Sequence, residues 1–228
     1  MNSTEIAILF LALIAFSAIS YRKKALDKQG VLAGNIIGIL IFIIGEKSFP
    51  TGLIPFFLIV FFFTIAEFCT RYSKHARKSK QEARSTGNIL GNSGAAVIAL
   101  VFAQPIGFFT AVSSALADTA SSEIGILSKT KPRLITSFKR VEAGTDGALS
   151  TLGTITALLA ALLVALIHYA LFQNTKAFAI IWLAGFAGMM VDSLLGATLQ
   201  KKKLLNNSLV NFFACGITAI IAVILYAL

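Results

Sequence analysis

Three carboxylates stand among small and apolar residues: Asp118 and Glu123 in SSALADTASSEIG, residues 113–125, and Asp192 in GMMVDSLLGATLQ, residues 188–200. An ionised side chain inside a bilayer costs at least about 2.5 kcal/mol, so such groups face a partner or a wet cavity. Three acids with few cations among them repel one another unless a proton or a metal intervenes. Hard oxygen donors with no His or Cys beside them suit Mg2+ or Mn2+ better than zinc. Asp118 and Glu123 are five residues apart, about 140° around a helix, so an unbroken helix does not aim both at one ion. Two alternatives stand: the helix unwinds near Ser121, Ser122 and Gly125, or the two acids serve different sites. Ser114, Asp118, Ser121, Ser122 and Gly125 also share a face of small residues that another helix or a phosphate can approach closely.

The loop that follows, SKTKPRLITSFKRVEAGTDGALSTLGT at 128–154, carries five cations in its first half and turns Gly-rich in its second. Gly144, Asp146 and Gly147 open the next apolar run, with Lys139 and Arg140 just upstream. Backbone N–H groups freed at a helix start form a cradle for anions, which points to phosphate. Taken alone, the same loop also reads as a basic connection ending in a capped helix. GNILGNSGAA at 87–96 repeats the theme of Gly and Asn at a helix mouth, and it reads equally as a close packing seam.

These groups need elements to hold them, and the composition says which. Apolar residues make up 57% of 228 positions and charged residues 13%, far below the soluble share of about 25%. Apolar runs fall at about 5–21, 31–45, 52–70, 88–104, 107–127, 147–172, 177–199 and 207–228, each able to cross about 30 Å of hydrocarbon as a helix. They lack period-2 alternation, and open strand edges are not tolerated in lipid. The expected fold is all-α, a polytopic membrane bundle of about eight helices forming one integral membrane domain over 1–228. Residues 1–10 have no basic region ahead of the apolar core, so they read as a retained helix rather than a signal peptide.

Net charge is +10, and with alternating spans eighteen of the twenty Lys and Arg residues fall on one side, leaving Lys47 and Lys176 on the other. That bias makes the loop side cytoplasmic and puts both termini outside. The segment RYSKHARKSKQEAR, residues 71–84, reads as an orientation signal touching anionic head groups, and no nucleic-acid partner is expected. With this orientation, Glu123 lies near the cytoplasmic end of its span and Asp118 about 14 Å deeper than that end. Asn35, Asn88, Asn92, Ser93, Asn206, Asn207 and Asn211 lie at the starts of outward-running spans. Cys69 and Cys215 read as packing residues, His75 and His168 as surface residues, Glu67 as a partner for Arg71, and FFLIVFFF at 56–63 as lipid-facing bulk.

DTASSEIG (118–125), KPRLITSFKRVEAGTDGALSTLGT (131–154), VDSLLGATLQ (191–200) and GNSGAA (91–96) together resemble the integral-membrane family that includes the plant and cyanobacterial phytyl-phosphate kinases and the animal transmembrane protein 19 relatives. The likeness covers most of the chain and is densest over 87–200. Together with the spans and the charge bias, the expectation is a multi-pass protein of the cell membrane with its active site on the cytoplasmic side. The implied activity is an Mg2+-dependent phosphotransferase, a kinase moving a phosphoryl group from a nucleoside triphosphate, CTP in the first instance, to an isoprenyl monophosphate such as phytyl or geranylgeranyl phosphate. On this reading Asp118 and Asp146 hold the metal, with Glu123 and Asp192 as further ligands or outer partners. Lys139, Arg140, Ser122, Gly144, Thr145 and Gly147 take phosphate oxygens, and Asn92 and Ser93 close the pocket. Competing expectations are a related lipid phosphotransferase or cytidylyltransferase, and an ion-coupled transporter using the buried acids.

Overall fold

A computed structural model describes residues 2–78 and 85–228, so Lys80 and Arg84 of the basic stretch lie outside the described residues. The described chain forms eight α-helices: α1 Ser3–Arg22, α2 Lys28–Gly45, α3 Leu53–Ala76, α4 Thr86–Val101, α5 Pro105–Gly125, α6 Thr151–Phe172, α7 Thr175–Leu195 and α8 Asn207–Ala227. A π-helical turn, Gly196–Gln200, extends α7. A two-stranded ladder, β1 Arg133–Leu134 with β2 Ala148–Leu149, is tucked into the α5–α6 loop. The protein is an all-α integral membrane bundle, as its composition requires.

Capping residues start most helices. Asn2, Asp27, Ser150, Asn174 and Asn206 each occupy an N-cap and accept a hydrogen bond from the first turn. That supplies one of the backbone donors a helix start otherwise leaves unpaired. α5 opens instead on Pro105, whose fixed φ suits the first helical position.

Among the described residues six helices are long and apolar enough to cross a membrane: α1, α2, α3, α7 with its π turn, α6 and α8. α4 is apolar but only 16 residues long. α5 carries too many Ser, Thr and acidic residues to belong with the six. It tolerates them because it is the central helix, packed against α3, α4, α6, α7 and α8, with fifteen buried residues. Neighbours, rather than lipid, face its polar groups. The outer surfaces of α1, α6 and α8 expose Leu, Ile and Phe to the hydrocarbon instead.

The α5–α7 contact shows what lets this centre close. A Cβ on Gly185 would run into Ser113, and one on Gly188 into Ser114. Two glycines one turn apart therefore admit the α5 backbone, the small-residue seam that dispersion packing needs where lipid gives no hydrophobic drive. Ser113 also donates to the carbonyls of Ile181 at 3.3 Å and Ala161 at 3.4 Å, tying α5 to both neighbours.

Two expectations are corrected by the packing. Phe56 and Phe62 of the Phe-rich run are buried core, and only part of that run faces lipid. His168 is 4% exposed rather than a surface residue. Its ring lies edge-on to Phe109 at 4.9 Å and tilted on Phe172 at 5.0 Å, within an aromatic cluster that also holds Phe49 and Phe108. An imidazole one helical turn before Phe172 has an apolar partner on each side once α5 and α6 pack. His75 is exposed, and Cys69 and Cys215 are buried in the packing, as expected.

Candidate functional site

The site begins where α5 ends. Ser150, the N-cap of α6, accepts from Gly153 N at 3.0 Å and donates to the Gly125 carbonyl at 3.0 Å, so one hydroxyl joins the end of α5 to the start of α6. The loop between them is therefore pinned at both ends. Inside it Ile135 N donates to the Gly147 carbonyl at 3.0 Å, and β1 pairs with β2 in the register Arg133 to Leu149.

The Gly-rich half folds as consecutive turns. Thr145 donates through N and Oγ1 to the Glu142 carbonyl at 3.2 and 2.8 Å, and Ala148 N donates to the Thr145 carbonyl at 3.0 Å. Gly144 and Gly147 have φ of +89° and +75°, a region that side chains disfavour. At Gly147 space adds a second demand: a Cβ there would strike Ala197 and the Ser193 carbonyl. The loop thus lies directly on the π turn of α7. π turns are rare local widenings of a helix, often found at functional sites. This one brings Asp146 beside Gly196 and close enough to Asp192 for its charge to be felt there.

Asp118 of α5 and Asp192 of α7 meet across the same space, their carboxylates within hydrogen-bonding reach. Asp118, Asp146 and Asp192 line one hollow of about 250 Å³, together with Ser121, Ser122, Gly144, Thr145, Gly147 and Ser150. No Lys or Arg is among its described lining residues. Two carboxylates that close repel unless a proton or cation lies between them. The starts of α6 and α8 face the hollow through Ser150 and Asn207, adding the partial positive ends of two helices.

A second hollow of about 280 Å³ adjoins the first, and Asp118, Ser122 and Asn207 form the wall they share. Glu123 lines this second hollow and not the first. α5 stays helical through Gly125, so the open choice over the two acids resolves toward two places rather than an unwound helix. Lys74, half-buried on α3, brings a cation to the second hollow, and Asn88, Asn92 and Asn211 bring amides.

The amides extend to Asp192. Asn92 donates to the Asn88 carbonyl at 2.7 Å, and the Asn211 amide stands 3.2 Å from Asn92 Oδ1. With its nitrogen toward the carboxylate, Asn211 donates to Asp192 Oδ2 at 2.9 Å and to the Asn207 carbonyl at 3.1 Å. Ser93 turns away, donating to the Ile89 carbonyl at 2.6 Å and lining an apolar cleft. GNILGNSGAA serves both readings at once: Gly87 and Gly91 face Ser208 in the α4–α8 seam, while Asn88 and Asn92 face the hollow.

Lys139 and Arg140 are exposed on the loop and line neither hollow. They are carried on the segment facing β1: the Lys139 carbonyl accepts from Leu134 N at 2.9 Å, and Arg140 bridges to Arg133. Glu67 pairs with Arg71 at 2.7 Å, as expected. Lys74, Ser193, Asn207, Asn211 and Gln200 are residues of the hollows to which sequence reasoning gave no role. The asparagines at the start of α8 carried a signal in their position; Lys74 was hidden in a basic segment.

The donor set suits one particular kind of ion. Among the described residues no three His, Cys, Asp or Glu side chains converge as a ready-made cage. Mg2+ rarely uses such cages; it is held by one or two carboxylates plus waters and substrate phosphates. Asp118 and Asp192 would be such a pair, with Asp146 lining the same hollow.

The family described as integral membrane protein DUF92 matches residues 11–219 of the chain. An uncharacterized membrane protein of Methanocaldococcus jannaschii is 36% identical over 215 residues, 90% of this chain and 87% of that one. Protein PGR of Arabidopsis thaliana is 31% identical over 232 residues, 85% of this chain and 78% of its own length. The chloroplastic protein VTE6 of the same plant is 28% identical over 222 residues, 88% of this chain and 65% of its own. No solved structure matches.

Proposed function

The chain belongs to the integral membrane protein DUF92 family, and from that membership and the paired hollows we propose a membrane-embedded kinase that transfers the terminal phosphoryl group of a nucleoside triphosphate, CTP in the first instance, to an isoprenyl monophosphate. The observation that carries this reading is the meeting of Asp118 with Asp192 beside a glycine-turned loop, in a hollow whose described lining has carboxylates and no basic side chain.

The chemistry asks little of a base. The second ionisation of a phosphate monoester falls at about 6, so the acceptor is already an anionic nucleophile near neutrality. Among the described residues no histidine lines either hollow. The acceptor oxygen attacks the terminal phosphorus, a new P–O bond forms, the bond to the bridging oxygen breaks, and the nucleoside diphosphate leaves. What the protein must supply is positioning and charge compensation for two polyanions. Mg2+ held by Asp118 and Asp192, with Asp146 nearby, would neutralise charge on the donor phosphates. Ser122, Thr145 and the backbone at Gly144 and Gly147 stand where donor phosphate oxygens would lie. Lys139 and Arg140, exposed on the same loop, raise the local concentration of the incoming nucleotide. The basic bias of the loops supports a cytoplasmic position for this side, where nucleotide is available.

Purified full-length protein in detergent, given CTP or ATP labelled in the terminal phosphate, Mg2+ and phytyl or geranylgeranyl phosphate, should yield labelled isoprenyl diphosphate only when the metal is present. With CTP labelled in the base, a cytidylyl group appearing on the lipid would replace the kinase reading with nucleotidyl transfer. Formation of neither product with any acceptor would remove both.

A further inference from the structure

Behind Asn88 and Asn92 lies a cleft of another character. Both residues line the second polar hollow, and both also line an apolar cleft walled by α1, α2 and α3. Leu13 and Phe16 of α1, Ile37 of α2, and Ile59 and Val60 of α3 line the cleft and not the hollow. A polar chamber holding a lysine and a hydrocarbon-lined slot, with two amides common to their walls, together have the polarity profile of one amphiphile: an anionic head joined to an apolar chain.

We infer that these two spaces form one acceptor site, in which Lys74 and the amides of Asn88 and Asn92 hold the phosphate of the isoprenyl monophosphate while its chain lies in the cleft between α1, α2, α3 and α4. This rests on the kinase reading above and deepens it. The first hollow then belongs to the nucleotide, and transfer occurs across the shared wall at Asp118 and Ser122.

The cleft is nearly closed, with about 50 Å³ of free space. Phe16 and Phe63 meet edge-on across it, their centroids 5.0 Å apart. Admitting a chain requires that pair to separate, and α1 is the wall able to move. It buries only Leu9, Leu13 and Ser20, whereas α5 buries fifteen residues. Elements with few buried apolar contacts open at the lowest free-energy cost. The bilayer lies against the exposed face of α1, so a lipid reaches the cleft without crossing water.

A second apolar groove, between α4 and α8, is the rival. It is lined by Ile98, Phe102, Ile217 and Ile220 and shares no residue with either polar hollow.

The test uses the full chain in nanodiscs and a geranylgeranyl monophosphate bearing a diazirine near the end of its chain. Irradiation should label residues of the α1–α3 cleft, with Ile59 and Val60 foremost, and unlabelled geranylgeranyl monophosphate should suppress that labelling. Ile59→Trp should weaken binding of the C20 phosphate about tenfold or more while leaving binding of a C5 monophosphate and of the nucleotide within about twofold. Lys74→Ala should weaken both monophosphates alike, with partial recovery in Lys74→Arg. Competable labelling at Ile98 or Ile217, or an Ile59→Trp effect independent of chain length, overturns the inference and leaves the kinase reading standing. Absence of any competable binding of the probe, in protein that still melts cooperatively, removes both.

Discussion

Asp118 and Asp192 lie on different helices, yet their carboxylates come within hydrogen-bonding reach because two glycines of α7 let α5 approach it at Ser113 and Ser114. Such a contact inside a membrane bundle is costly to keep without a counter-charge. Its survival in the folded protein is the physical reason for assigning it a cation and a phosphorylated guest.

Asp118→Asn and Asp192→Asn should each lower phosphoryl transfer by about 100-fold or more, about 2.7 kcal/mol of transition-state stabilisation. Neither change alters side-chain size, so elution and melting without Mg2+ should stay near wild type. Thermal stabilisation by nucleotide with Mg2+ should be lost. Undiminished turnover in Asp118→Asn would take that residue out of the metal site.

On the proposed reading Asn211, with its nitrogen toward Asp192 Oδ2, positions that acid, which separates its effect from that of the acids. Asn211→Ala removes the 2.9 Å donor and should lower kcat about tenfold, the usual scale for a group that orients a metal-binding side chain. The KM for nucleotide should change less than about twofold. Steady-state kinetics at saturating lipid reads the split, and a change confined to KM contradicts the assignment.

The two left-handed glycines should differ. Gly144→Ala meets open space apart from Ile126 Cδ1 at 3.7 Å, so it should cost about 1 kcal/mol of backbone strain. Gly147→Ala adds a collision with Ala197 and the Ser193 carbonyl, should cost about 3 kcal/mol, and should displace Asp146. Melting midpoints and transfer rates should both rank wild type above Gly144→Ala above Gly147→Ala.

Ser150→Ala removes the cap of α6 and its bond to α5 together. A fall of about 1 kcal/mol is expected from the cap alone, seen as a lower melting midpoint. Chymotryptic cleavage in the 126–149 loop should also quicken, because that hydroxyl fixes both ends of the loop.

Lys139→Ala and Arg140→Ala should raise the KM for nucleotide at low salt and leave kcat near wild type, since both residues are exposed and outside the hollows. Screening should bring variant and wild type together by about 0.5 M salt, where the Debye length is only a few ångströms. A large fall in kcat that persists at high salt would place these side chains on the transferring phosphate instead.

The membrane bundle was legible in the sequence because lipid solvation acts on every residue of a span, and local hydropathy records it. The acids and the glycine-turned loop were legible for a related reason: charge and φ > 0 are each costly within a few residues of chain. Asp118, Asp146 and Asp192 do share one hollow. Lys74, half-buried against the second hollow, was not legible, because a run of cations looks alike whether a member faces water or protein. His168 misled for the opposite reason. An imidazole near a helix end suggests surface, and only the placement of Phe109 against α6 encloses it.

By itself the sequence determined that the chain is helical, lies in a membrane, and carries acids, amides and a glycine-rich turn toward one end of its helices. Tertiary packing alone decided which acids meet, that Glu123 turns to a second hollow, and that Asn88 and Asn92 stand between a polar chamber and an apolar cleft. The reason is geometric. Hydropathy and helical period fix how each segment sits in lipid, but the rotation of one helix against another depends on which small residues admit a neighbour's backbone. That is a property of pairs of segments far apart in the chain.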